Sequence, residues 1–240
     1  VAVKVIKAIG EHRVVYRKVA RERTVWASLM HKNIHPFLGF AEDQEFAPFG
    51  ALISRWCGRG DADQFLREHG TQMKVEERFE LWKGFVDGVA YLHLHTPMVV
   101  HGDLKPGNVL IDEFNVPKLC DFGLCRIFHD EESTGMTTTS EHTGTERYLA
   151  PELVQSQAMY PTTASDVYAV GCLGLEFLYL QKPYSHRKHN LRGGIITDLK
   201  TGVPPATRLA HHSPSAWRLL SFAGTQCHRC EFLPQPSPCN

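Results

Sequence analysis

The stretch His101-Gly102-Asp103-Leu104-Lys105-Pro106-Gly107-Asn108, with Asp121-Phe122-Gly123 behind it, gathers side chains suited to moving a phosphoryl group. That chemistry needs a carboxylate near the attacking hydroxyl and an oxygen-rich set to hold Mg2+ against phosphate charge. Asp103 supplies the carboxylate, Lys105 can sit beside the transferred group, and Asn108 and Asp121 can hold the metal. A polar loop after a helix would also carry Asp and Asn, for turn chemistry alone. The joint occurrence of the required residue types at fixed offsets favours the chemical reading.

The elements that must position these groups are legible in the hydrophobic pattern. Lys4 lies in Val1-Ala2-Val3-Lys4-Val5-Ile6, a β-branched alternating run that reads as a strand, on the face opposite the valines. Glu22 falls on the apolar face of a helix expected over 17–30, where Val19, Glu22, Val25, Trp26 and Leu29 recur at three- and four-residue spacings. A charge facing a core is costly without a partner, so each should have one unless both turn out to solvent. Further strands are expected over 37–41, 51–56, 109–111 and 117–120, with Gly58-Arg59-Gly60 ending the second of them. Helices are expected over 76–95, stopped by Thr96-Pro97, and over 164–180, which is apolar enough to be buried. The Ser-, Thr- and Glu-rich stretch 130–143 reads as an exposed loop. A strand-rich start and a helix-rich remainder make an α+β protein of two lobes.

Composition narrows the class. Lys plus Arg and Asp plus Glu each total 26 among 240 residues, so no net field favours nucleic acid or an anionic membrane as partner. No apolar run reaches bilayer-spanning length. The seven cysteines, an odd number in a chain large enough to fold without staples, read as reduced thiols, and a cytoplasmic location is expected. Cys227 and Cys230 form a Cys-x-x-Cys pair with no second pair at zinc-ligand spacing, so an incidental pair is favoured over a metal site.

On these motifs, together with Ala150-Pro151-Glu152 and Asp166-Val167-Tyr168-Ala169-Val170-Gly171, the chain resembles the eukaryotic protein kinases from the Val-Ala-Val-Lys strand to about Leu220. It is most similar to the tyrosine-kinase-like serine/threonine kinases, including fungal members with His-Gly-Asp-Leu-Lys loops. The resemblance implies a partial, β-rich N lobe over 1–56, a mainly helical C lobe over 57–222 and an atypical tail over 223–240. It further implies transfer of the ATP γ-phosphoryl group, with Mg2+, to Ser or Thr hydroxyls of protein substrates. Lys4, held by Glu22, would position the nucleotide. Ser54 would be the gatekeeper, and Arg55-Trp56-Cys57 the hinge pairing with adenine through backbone groups. Thr145 would bridge Asp103 and Lys105, and Thr137, Thr138, Thr139, Ser140 and Thr143 would lie in the activation loop. Aminoglycoside and choline phosphotransferases share His-Gly-Asp-Leu-x-Pro-Gly-Asn, but they lack the Asp-Phe-Gly and Ala-Pro-Glu segments that this chain carries. A catalytically impaired kinase-like binding module is the other alternative.

Three departures from the family pattern carry expectations. The glycine-rich loop would lie before Val1, so this chain should bind ATP poorly. Gly102 replaces an arginine that in the family gathers a phosphorylated activation-loop residue, so activity should not depend on loop phosphorylation unless Arg126 or Arg147 compensates. Beyond Leu220 the family pattern gives way to Cys227-His228-Arg229-Cys230 and a Pro-rich end, which reads as a disordered, mis-spliced or truncated terminus.

Overall fold

The computed structural model describes residues 1–6, 11–127, 145–155, 160–187, 193–207, 215, 217, 218 and 220. Its first part is an antiparallel sheet in the order β1-β3-β2, formed by β1 (Ala2–Val5), β2 (Phe37–Ala41) and β3 (Ala51–Ser54). Ala2 lies opposite Ser54 and Lys4 opposite Leu52. Strand β3 stops two residues short of the expected 51–56, as the chain leaves the sheet after Ser54.

Between β1 and β2 runs α1 (His12–Ser28), which begins a full turn before the expected 17–30. Val15 accounts for the difference, extending the buried stripe of Val19, Glu22, Val25 and Trp26 by one turn toward the N-terminus. The helix ends where Leu29 adopts an extended conformation and buries its side chain.

The rest is mainly helical: α2 (Ala62–His69), α3 (Val75–Leu94), α4 (Glu152–Gln155), α5 (Thr163–Tyr179) and α6 (Gly194–Lys200). Two small antiparallel pairs join them, β4 (Val99–Val100) with β7 (Arg126–Ile127) and, as a hairpin lying between these in the chain, β5 (Val109–Ile111) with β6 (Pro117–Leu119). Helices α2 and α6 are not expected from hydrophobic spacing, because each spans only about two turns. A start signal for α2 is nevertheless present, since the Asp61 carboxylate accepts the Gln64 N–H at 2.9 Å and caps the helix. The α+β class and the division into a sheet-bearing part and a helical part stand as expected.

Helix α5 is the foundation of the helical part. Thr162 and Ser165 cap it reciprocally, and every residue from Ser165 to Leu178 except Val167 is buried. A helix apolar on all sides must be enclosed, and α3 supplies one wall. Trp82 donates its indole N–H to the Val170 carbonyl at 3.1 Å, and Phe85 stacks on Phe177. Gly174 makes this approach possible, since a Cβ there would sit 2.2 Å from Leu220 and 3.1 Å from the Trp82 ring. Arg78 fastens the ends, donating to the carbonyls of Gly70, Met73, Phe177 and Leu178 where α2 and α5 finish.

Two acids inside α5 have different partners. Asp166 accepts the backbone N–H of His101 at 2.8 Å and of Gly102 at 2.9 Å, and His93 Nε2 lies 2.9 Å from the same carboxylate. Glu176 instead accepts the Tyr148 hydroxyl in a largely apolar site. Burial pushes its carboxyl up to about 7 against the opposing effect of that hydrogen bond.

Removing the Asp166 carboxylate by Asp166→Ala strands two inward-facing amides, so denaturant unfolding should show a loss on the order of 3 kcal/mol. A midpoint equal to that of the parent would refute the anchoring role. For Glu176 the folded value lies above the ordinary 4.5, so its contribution is complete below pH 4.5 and disappears as pH rises to about 7. Thermal melts of Glu176→Gln should therefore decline less than the parent's across that window, and parallel curves would contradict this assignment.

Candidate active site

The segment after β4 is held from both sides. Asp166 fixes the amides of His101 and Gly102, and the His101 ring faces the other way, with Nε2 3.1 Å from the Cys120 carbonyl. Since His101 Nδ1 accepts the Asp103 N–H at 3.3 Å, Nε2 is the protonated nitrogen and donates to Cys120. Gly102 carries the bend, with φ at +77° and Pro161 so close that a Cβ would lie 2.9 Å from its ring. A left-handed backbone of this kind favours glycine.

That bend presents Asp103 to the groups expected beside it. Lys105 Nζ lies 2.5 Å from Asp103 Oδ2, and Asn108 Nδ2 donates to Asp103 Oδ2 at 3.0 Å and to the Asp103 carbonyl at 2.8 Å. The turn Pro106–Asn108 makes the second contact possible by folding Asn108 back over the residues before it. With its amide hydrogens used in this way, Asn108 retains its carbonyl oxygen as the atom available to a cation.

The second centre is Lys4. Its ammonium lies 2.8 Å from Glu22 Oε1 on α1 and 2.8 Å from Asp121 Oδ1, so the alternative in which Lys4 and Glu22 point to solvent is excluded. Burial alone would lower the Lys4 value, but the carboxylates of Asp121 and Glu22 outweigh it and hold the lysine charged, well above its usual range. Burial raises Glu22 against the pull of Lys4, whereas at Asp121 burial acts upward but Lys4, His101 and Lys105 together hold the carboxyl low. Gly123 lets α1 come this near, since a Cβ there would lie 3.1 Å from Glu22 Oε2 and 3.4 Å from Asp121 Oδ1.

An aromatic column joins the two centres. Phe37 of β2 meets Trp26 of α1 at 5.2 Å between ring centroids, Trp26 meets Phe122 at 5.9 Å, and Phe122 meets His101 at 5.6 Å. Trp26, Phe122 and His101 are buried. The column ends on the backbone that Asp166 holds.

The remaining expected residues divide into three groups. Ser54 is buried at the end of β3, and the chain from there to Cys57 leads from the sheet into the helical part. Within it, Trp56 exposes its indole while Cys57 is buried with Sγ 3.8 Å from His35 Nδ1, its thiol pushed up mainly by burial. Thr145 opens the 3-10 turn Thr145–Tyr148, but its side chain lies outside the described residues, as do Thr137, Thr138, Thr139, Ser140, Thr143, Cys227 and Cys230. The side chain of Arg126 lies outside them too. Arg147 cannot serve as a substitute for an arginine at 102, because its guanidinium donates to the carbonyls of Pro183, Tyr184 and Arg187.

Hydrophobic spacing and motif offsets do not single out the anchoring by Asp166 or the direct Lys4–Asp121 contact. An available signal for the first is an acid placed in an otherwise apolar helical run, where a buried carboxylate must find donors. Among the described residues no three His, Cys, Asp or Glu side chains converge on a metal position, and no helix is long and apolar enough to cross a membrane.

Comparison with known proteins identifies the family. Residues 1–221 match the protein kinase domain family. The chain is 36% identical over 188 residues to the L-type lectin-domain containing receptor kinase VI.2 of Arabidopsis thaliana, covering 76% of this chain and 26% of that protein. It is 35% identical over 163 residues to the serine/threonine-protein kinase TOUSLED of the same plant, covering 66% and 24%. Against the serine/threonine-protein kinase CTR1, also from Arabidopsis thaliana, identity is 31% over 188 residues, covering 78% and 22%. The chain thus spans about a quarter of the length of these relatives. From its matched residues and its two charged centres, the chain belongs to the protein kinase domain family.

Proposed function

We propose that this protein transfers the γ-phosphoryl group of ATP to Ser or Thr hydroxyls of protein substrates. The observation that carries the reading is the Asp103 carboxylate, gripped by Lys105 and Asn108, with an Asp121 that binds Lys4 and lies within the electrostatic reach of Lys105. Asp103 orients the substrate hydroxyl and takes up its proton, and Lys105 supplies positive charge beside the same carboxylate. Lys4, kept charged by Glu22 and Asp121, binds nucleotide phosphate oxygens. Ser54, Trp56 and Cys57 border the nucleotide base.

The donor set fits Mg2+. One carboxylate at Asp121 and one amide oxygen at Asn108 are too few for a closed protein cage, but they suit a hard cation that keeps waters and shares phosphate ligands. Bound there, the cation would neutralise charge developing on the phosphates. The choice of Ser or Thr over Tyr rests on Lys105 and on the serine/threonine kinases among the relatives. The thiols of Cys57, Cys125 and Cys172, buried and unbridged, fit a reducing cytoplasm.

Two outcomes test the reading in the full-length protein. Asp103→Asn should leave folding intact and lower turnover of a Ser/Thr peptide by roughly 10²- to 10⁴-fold. Turnover within a few-fold of the parent would show that Asp103 does not handle the substrate proton. Because position 102 is glycine and Arg147 is engaged elsewhere, phosphatase treatment should leave the rate unchanged. A rate abolished by the phosphatase would show that loop phosphate is gathered by another cation.

A further inference from the structure

The inner face of α1 presents Glu22 to Lys4, whereas its outer face carries cations with no use in that site. Arg13, Arg17 and Arg21 follow one another at four-residue intervals, which places them in one row along the helix. Arg13 and Arg17 are exposed, as is Lys18 beside the row, and Lys18 and Arg21 also make contacts of their own. The only carboxylate within the helix is Glu22, buried on the opposite side.

Local rules of helix stability do not favour this arrangement. The first turn contains no acid, and His12 and Arg13 stand where the helix dipole prefers negative charge. Arg13 with Arg17, and Arg17 with Arg21, are like-charge neighbours that weaken a helix. In a chain with equal numbers of acids and bases, the row is a local concentration of charge rather than a reflection of composition. An anion laid along it would relieve the repulsion and oppose the dipole less than the bare cations do.

We infer that the outer face of α1 docks a partner protein through a phosphorylated Ser or Thr side chain, held between Arg13 and Arg17. The two arginines are one turn apart, about 6 Å along the axis, near enough to converge on one group. Each guanidinium offers a planar fork of donors. A phosphomonoester has three acceptor oxygens and nearly two charges, so it engages both forks, whereas a single carboxylate fills one. Tyr16 and Val14, both exposed beside the row, give the flanking residues of the peptide an apolar surface. The inference concerns a surface separate from Asp103 and Lys4 and does not depend on the proposed activity.

The test uses the full chain and a fluorescein-labelled phosphothreonine peptide of otherwise neutral sequence, read by anisotropy at two salt concentrations. Its unphosphorylated and glutamate-substituted forms, and vesicles containing phosphatidylserine, serve as alternatives. The phosphopeptide should bind in a salt-dependent way, and Arg13→Glu and Arg17→Glu should each weaken it by roughly tenfold or more. Lys83→Glu, on the exposed side of α3, should bind as the parent does. Both arginine variants should melt no lower than the parent, since each replaces like-charge neighbours with opposite ones. No binding of the phosphopeptide, or equal binding by both arginine variants, would overturn the inference. Equal binding of the glutamate peptide would replace it with a general acidic dock, and equal loss of vesicle binding would replace it with a membrane contact.

Discussion

One ammonium group holds the active-site half of this molecule together. Lys4 comes from the sheet, Glu22 from α1 and Asp121 from the segment after β6, and their meeting fixes three elements that are distant in sequence. The two carboxylates would repel each other in a partly buried site without the cation between them. Glycine at 123 suits the same requirement, since a Cβ there would crowd the Glu22 carboxylate at 3.1 Å. That requirement explains why the acid on α1 interrupts an otherwise apolar stripe, because Glu22 needs burial to reach Lys4 and needs Lys4 to tolerate burial.

The second support is mechanical. Four aromatic rings, from Phe37 through Trp26 and Phe122 to His101, connect the sheet with the backbone of the segment that carries Asp103. The column ends on His101, whose amide and that of Gly102 are bound by Asp166 of α5. A carboxylate with two oxygens can hold two adjacent N–H groups in a fixed bend, which a single carbonyl acceptor cannot do as well. The bend then selects glycine at 102 and turns Asp103 toward Lys105 and Asn108. The position of Asp103 thus depends on an anchor supplied by α5.

Much of this is legible in the sequence, for reasons that differ between elements. Helices α1, α3 and α5 announce themselves by long apolar stripes, and the offsets between Asp103, Lys105 and Asn108 mark side chains that the fold brings together. Helices α2 and α6 escape such a reading because two turns give too few apolar repeats to set a period. The start of α1 is hard to place because a single residue, Val15, decides the extra turn. Arg147 is a plausible cation for loop phosphate until its three carbonyl partners are known, since no pattern of sequence reveals where a guanidinium is already committed. The Lys4–Asp121 contact is hidden for the same reason, as it joins residues 117 apart whose nearness only the folded chain creates.

The two faces of α1 obey opposite rules, and the contrast says which features of the helix serve folding. On the inner face, each apolar residue and the paired Glu22 gain from burial, so sequence and stability agree. On the outer face, successive arginines repel one another and oppose the dipole, so sequence and local stability conflict. Conflicts of this kind concentrate where a protein meets something other than itself. The inner face binds Lys4, while an anion arriving from outside the helix would relieve the repulsion between Arg13 and Arg17. Both faces lie on the same rigid element, so whatever steadies the outer row also steadies the position of Glu22 opposite Lys4.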